Sequence, residues 1–234
     1  MNTVWMLTTL FYVLTQGPPP ERPEFPLEKG TYWVYEGNVV WTAPNSTTVQ
    51  RQSVKWRMEV TDVISRDLLV VAVLKGYPRD LLGFDPKKEP GVSVIIQVSG
   101  RKHYLLDGVR AQAALKRIKD PSDLLVDLVR DNEIFLETPI SLGQRFCEAG
   151  MLTRTDWMNC WIVEEERVPT VKTIPGVPAE WDGPEYGISY RSLPSHEIIG
   201  FAPGIGITSF DSGHHGTSAE VQLKLIEFKR PDSQ

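Results

Sequence analysis

The chain has 234 residues, 41% hydrophobic and 24% charged, with 18 glycines and 18 prolines. That length is enough for one large β domain or two small ones with a core that needs neither metal nor disulfide, and the composition excludes a disordered chain. A formal charge of −5 and a pI near 5.5, with basic residues only in short acid-interrupted runs such as DPKKEP and LKRIKD, exclude a phosphate-binding face for nucleic acid.

The first element is an apolar run, VWMLTTLFYVL from Val4 to Leu14. It is too short to span a bilayer and has the length of a signal peptide, here ending near residue 17. The alternative is a terminal strand or helix of the fold itself. No cysteine comes directly after the run, which argues against a lipid anchor. Residues 18–24, PPPERPE, read as a stiff polyproline-like spacer.

From residue 25 to about 230 the chain reads as a single β-rich domain. Gly30–Thr42, Ser53–Ile64 and Asp67–Tyr77 are rich in β-branched and aromatic residues, with a turn at SRD before the third. Between the first two, NST at Asn45 would be a glycosylation acceptor in a eukaryotic secretory pathway. Residues 92–107, VSVIIQVSGRKHYLLD, form a second hairpin bending at SGRK. The helical segment follows, at about residues 109–131. PSDLLVDLVRDNE places Pro121 at a helix start and Leu124, Leu125, Leu128 and Val129 on one face, with RAQAALKRIKD as a second short helix before it.

Beyond the helical segment, Cys147 and Cys160 lie in two strand-like runs joined by turn-compatible residues. They form either one disulfide, as in an exported protein, or a pair of buried thiols; their spacing matches no zinc motif. EEER at Glu164–Arg167 is the solvated end of a strand rather than a catalytic acid pair. Further strands are EYGISYRS, HEIIGFAPGIGITSF and AEVQLKLIEF. GFAPGIGIT is followed by a strand, not a helix, so it is no phosphate loop; Pro203 and Gly204 make a turn and Gly206 a close backbone approach. Ser195 and His196 are adjacent but lack a nucleophile elbow.

FPLEKGTYWVYEG (25–37) and TPISLGQRFCEAG (138–150) share a proline, an aliphatic residue, a glycine, an aromatic and a final glycine in register, each followed by a tryptophan-bearing strand. Either two related β units, 25–107 and 138–230, are joined by the helical segment, or the likeness is coincidental.

Two groups of side chains are candidates for function. His214 and His215 sit between Gly213 and Gly216 at a hairpin tip, with the glycines expected at positive φ. Adjacent side chains on extended backbone point to opposite sides, so a metal shared by His214, His215 and Asp211 needs an irregular loop. No metal site is therefore favoured, and a metal-dependent hydrolase using these residues stands as an alternative. Trp33, Tyr35, Trp56 and Trp161 could line a concave apolar cavity; as large aromatics on strands they equally serve as core.

The first segment, FPLEKGTYWVYEG, together with FAPGIGITSFDSGHHGTSAEVQLKLIEF, resembles uncharacterised exported bacterial β-rich proteins. These start with Pro-Leu-x-x-Gly-x-x-Trp-x-Tyr and end with a Phe-x-Pro-Gly-x-Gly strand and a strand closing on Leu-x-x-Phe. The resemblance covers the two ends only. It implies a fold distantly similar to half-barrels that carry lipids or lipoproteins, and an extracytoplasmic location. The fold expected overall is mainly β, a twisted antiparallel sheet or half-barrel wrapped around a short helical insert. The function expected is exported, non-catalytic binding of an apolar small molecule or lipid, or of a protein partner, with no cofactor, no nucleic acid and at most peripheral membrane contact. A structural or adhesive β module is the remaining alternative.

Overall fold

A computed structural model describes residues 24–42 and 47–231. The apolar run at Val4–Leu14, most of the proline spacer and Asn45 lie outside the described residues. Twelve strands make the framework of the described residues. In chain order they are β1 (Tyr32–Thr42), β2 (Val49–Arg66), β3 (Leu69–Lys75), β4 (Val92–Val98), β5 (Lys102–Leu106) and β6 (Ile134–Glu137), then β7 (Arg145–Phe146), β8 (Trp161–Arg167), β9 (Glu185–Arg191), β10 (Ser195–Ala202), β11 (Gly206–His214) and β12 (Glu220–Lys229).

The strands form one antiparallel sheet in the order β6-β5-β4-β3-β2-β1-β12-β11-β10-β9-β8-β7. Two six-stranded meanders are thus joined where β1 pairs with β12. The outer strands of the order, β6 and β7, come against each other, so the sheet is a nearly closed barrel. Gln144, just before β7, reinforces this seam by donating its side-chain amide to Glu137 O at the end of β6, 3.3 Å away.

Side chains alternate across the sheet, as extended backbone requires. Trp33, Tyr35 and Val39 of β1 point inward with Met58 and Val60 of β2, Ile188 of β9, Ile199 and Phe201 of β10, and Val221 and Leu223 of β12. Aromatics fill one end of the interior. Phe25 packs edge-on against Trp33 and Phe201, at 5.9 and 5.6 Å between ring centres. The Cβ of an alanine in place of Gly206 would lie 2.9 Å from the Phe25 ring, so the close approach expected at Gly206 is one between its backbone and an aromatic side chain.

The helical segment departs from expectation in two ways. The α-helix, α1, spans Gly108–Arg117 and overlaps RAQAALKRIKD, the stretch expected to be the minor helix, while PSDLLVDLVRDNE holds only short 3-10 turns at Val126–Leu128 and Asp131–Glu133. Side chains compete for its backbone: Asp120 accepts from the Ser122 amide and Asp123 from the Leu125 amide, both at 2.9 Å, and Leu125 adopts φ 55°. Nor does the sheet wrap around the helix. Ala111 and Ala114 of α1 press on the outside of β3, β4 and β5, where Val71, Val73, Val94, Ile96 and Leu106 form a second, external apolar cluster.

The paired segments 25–37 and 138–150 lead into and include the start of β1 and all of β7, the first strands of the two meanders. Both make the same backbone bonds. Thr31 N donates to Glu28 O and Gln144 N to Ser141 O; Gly30 N donates to Val60 O and Gly143 N to Val163 O; Val60 N donates to Thr31 O and Val163 N to Gln144 O. Both glycines sit at positive φ, 90° and 80°, a conformation that costs a non-glycine residue about 1–2 kcal/mol.

Candidate functional site

The chain leaves β3 through Gly76, at φ 78°, and turns into the barrel. Pro78–Gly83 then makes one 3-10 segment that plugs the interior with Tyr77 and Leu81, both fully buried. Three contacts fasten it. The Trp56 indole donates to Gly76 O at 2.8 Å, Asp80 accepts from the Gly91 amide at 2.9 Å, and Phe84 packs edge-on to Trp41 at 4.9 Å.

Beside this plug lies a cavity of about 500 Å³. Its apolar wall comes from Leu82 of the plug segment, Leu105 of β5, Ile134 and Phe135 of β6, Trp161 of β8 and Tyr190 of β9. The hairpin tip between β11 and β12 borders the opening through His214, Thr217 and Ala219. A cavity of this size with a mostly apolar lining and a few polar groups is the ordinary form of a small-molecule site.

Those polar groups converge on Arg79. Its Nε and Nη2 donate to the two carboxylate oxygens of Glu197 at 2.9 and 3.1 Å, and its Nη1 to Asp107 at 3.3 Å. Glu197 is in the inward register of β10 with Ile199 and Phe201, and its side chain is 7% exposed against 33% for Arg79. Burial pulls the guanidinium pKa down, but Glu197, Tyr77 and Asp107 more than offset it, so Arg79 stays protonated. Burial raises the Tyr77 phenol, and neighbouring Glu197 raises it further; its hydroxyl has no hydrogen-bond partner among the described residues. Glu133, which also lines the cavity, forms an ion pair with Arg110 through Oε1, while its Oε2 is buried with no hydrogen-bond partner. Burial pushes its carboxyl above the usual range, against the opposing pull of Arg110 and Arg130.

The aromatic candidates separate in space. Trp33 and Tyr35 are sealed in the core, with the Trp33 indole donating to Ile205 O at 2.6 Å and the Tyr35 hydroxyl to Ile207 O at 3.0 Å. Trp56 braces the plug from outside the cavity. Trp161 stands in the cavity wall, against Tyr190 at 5.4 Å.

His214 and His215 border one surface hollow together with His196 and Asp211, but their rings take different neighbours. His214 is the last residue of β11, in register with Ser195, and faces the cavity. His215 packs on the other side of the sheet against the His196 ring, 5.5 Å between centres, with Asp211 3.6 Å from His196 Nε2. Among the described residues, no three His, Cys, Asp or Glu side chains are grouped so as to hold a metal ion. Gly213 and Gly216 are not at the expected positive φ: Gly213 lies within β11, and a Thr217 N to His214 O bond of 3.2 Å closes the turn.

Cys147 and Cys160 form a disulfide. It closes the loop between β7 and β8 at the cavity end of the seam, where the Arg145 guanidinium lies 4.7 Å over Trp157. Sequence reasoning did not find Arg79, Glu197, Tyr190 or Glu133. Glu197 carried a usable signal, an acid in the inward phase of an otherwise apolar strand; Arg79 lies 118 positions away, in a segment with no periodicity.

No protein family and no curated protein matches the chain. Two solved structures resemble it. One, from Bacteroides fragilis, is named as an exported protein with a YmcC-like fold; it is 12% identical with a TM-score of 0.40, over 88% of this chain and 98% of its own. The other, from Parabacteroides distasonis, is named as a lipoprotein; it is 11% identical with a TM-score of 0.41, over 90% of this chain and all of its own.

Proposed function

We propose that the chain is an exported, non-catalytic binding protein that holds an apolar small molecule or lipid in the barrel cavity. The observation that carries this reading is the cavity of about 500 Å³ walled by Leu82, Leu105, Ile134, Phe135, Trp161 and Tyr190 beside the interior plug. Among the described residues the rest of the core is built of buried apolar side chains, packed as protein interiors are, and the β11–β12 tip borders the space beside the plug. Export is supported by the Cys147–Cys160 disulfide, a bond that persists in oxidising compartments, and by the apolar run at Val4–Leu14. Of the four aromatic candidates, the reading assigns ligand contact to Trp161 alone. Trp33, Tyr35 and Trp56 hold the walls and the plug.

Native mass spectrometry of the purified full chain tests this reading. Wild type should carry a lipid-sized adduct, or take up added decanol, and Ala219→Trp, which places an indole across the opening without touching the core, should lose either. Wild type that neither carries an adduct nor takes up decanol overturns the reading.

A further inference from the structure

Three loops meet at the cavity end of the barrel. The Asn159 amide of the β7–β8 loop donates to Arg191 O at 2.7 Å, which ties that loop to the β9–β10 turn, and the His215 amide of the β11–β12 tip donates to Pro194 O of the same turn, also at 2.7 Å. Ser195, where the turn enters β10, and His214 and Thr217 of the tip border the cavity. The Cys147–Cys160 disulfide fixes the base of the β7–β8 loop. The three loops therefore form one braced rim.

This rim holds large apolar side chains out in water. Leu193, inside the turn that the Ser192 N to Ser195 O bond closes, is 89% exposed, and Leu152 and Trp157 of the β7–β8 loop are 47% and 43% exposed. Trp157 carries the Arg145 guanidinium over its ring, an amphipathic pair of the kind that suits the boundary between water and lipid. The charges close by cancel: Arg154 pairs with Asp156 and Arg191 with Glu164, and the loop's other two, Arg145 and Glu148, are of opposite sign. Three side chains on separate loops cover far less than the roughly 800 Å² a side that a stable protein interface needs. A fluid apolar phase needs no matching surface, and its hold grows with each side chain it takes in.

We infer that this rim is a docking surface for a zwitterionic lipid bilayer. Leu193, Leu152 and Trp157 enter the interface and set the cavity against it, so that an apolar ligand passes between the two without crossing water. The role of the contact, though not the contact itself, rests on the cavity reading. Cosedimentation of the full chain with phosphatidylcholine vesicles at low and high salt tests it. Wild type should bind equally at both. Leu193→Ser should lower the partition constant at least about tenfold, and Trp157→Ser should lower it too, while both variants take up decanol as wild type does. Leu68→Ser and Val168→Ser, which change exposed side chains at the opposite end of the barrel, should bind vesicles as wild type does. Wild type that does not bind these vesicles, binding lost at high salt, or binding that the rim substitutions weaken no more than the opposite-end ones overturns the inference, and decanol uptake in that case leaves the cavity reading standing. Vesicle binding without decanol uptake overturns the cavity reading alone. A dimer that Leu193→Ser returns to monomer, with no vesicle binding, would make the rim an interface between copies and also overturn the inference.

Discussion

Two buried polar residues show how single side chains are held in this interior. His103 of β5 is fully buried between the Phe25 and Phe135 rings, and burial lowers its pKa from 6.5 to about 4, so it stays neutral in the folded chain. Its folded pKa lies below its unfolded one, so the unfolded chain takes up a proton first as pH falls. Stability is flat with respect to this group above about pH 7 and is lost between about pH 6.5 and pH 4. The loss attributable to His103 is about 3 kcal/mol. Urea unfolding across that range should therefore show a steeper decline in wild type than in His103→Leu; parallel curves would contradict it. Glu197 presents the other case. Replacing it by glutamine leaves Arg79 with the rim carboxylate of Asp107 as its charged partner, a loss of about 2 kcal/mol after discounting for the third of Arg79 that solvent reaches, measurable as a lower urea midpoint. Glu197 was visible in the sequence only as a break in an alternating strand, because nothing local records that its partner is Arg79.

At the scale of elements, the two lead-in segments make a sharper case. An alanine Cβ at Gly143 would meet nothing within 4 Å, and at Gly30 only Pro231 at 4.0 Å. The cost of Gly30→Ala and Gly143→Ala then comes from backbone conformation alone. The two should be nearly equal, at about 1–2 kcal/mol each by thermal or urea unfolding; a severalfold difference would deny that the two turns are equivalent. Gly37→Ala should cost more for a different reason, since its Cβ would sit 1.8 Å from Gln222 O across the β1–β12 junction. The disulfide closes a loop of sequence separation 13, and changing both cysteines to alanine should lower stability by about 3 kcal/mol. Strands were legible at this scale because alternation survives in short windows: the turn at SRD and the bend at SGRK fall where β2 meets β3 and β4 meets β5. The helix was misplaced because the leucine spacing in PSDLLVDLVRDNE carries no trace of Asp120 and Asp123 capturing nearby amides, and because Ala111 and Ala114 bury a face that looks weakly apolar in sequence.

Over the whole molecule, twelve antiparallel strands rolled almost shut leave few exposed sheet edges, which limits the edge-to-edge pairing an open sheet invites. The mainly β class was readable from composition and period. The cavity was not, because its walls come from residues as far apart as Leu82 and Ala219, and its plug is a six-residue segment without periodicity. The claim that most depends on the assembled molecule is that ligand occupies the cavity between that plug and the β11–β12 tip. Hydrogen–deuterium exchange of the full chain, with and without saturating decanol, tests it directly. Slower exchange confined to the 3-10 segment at Pro78–Gly83, to β5 and β6, and to the cavity ends of β8 through β11 is the expected result. Protection absent from those segments, or centred on the outer faces of β1 and β12, would contradict it.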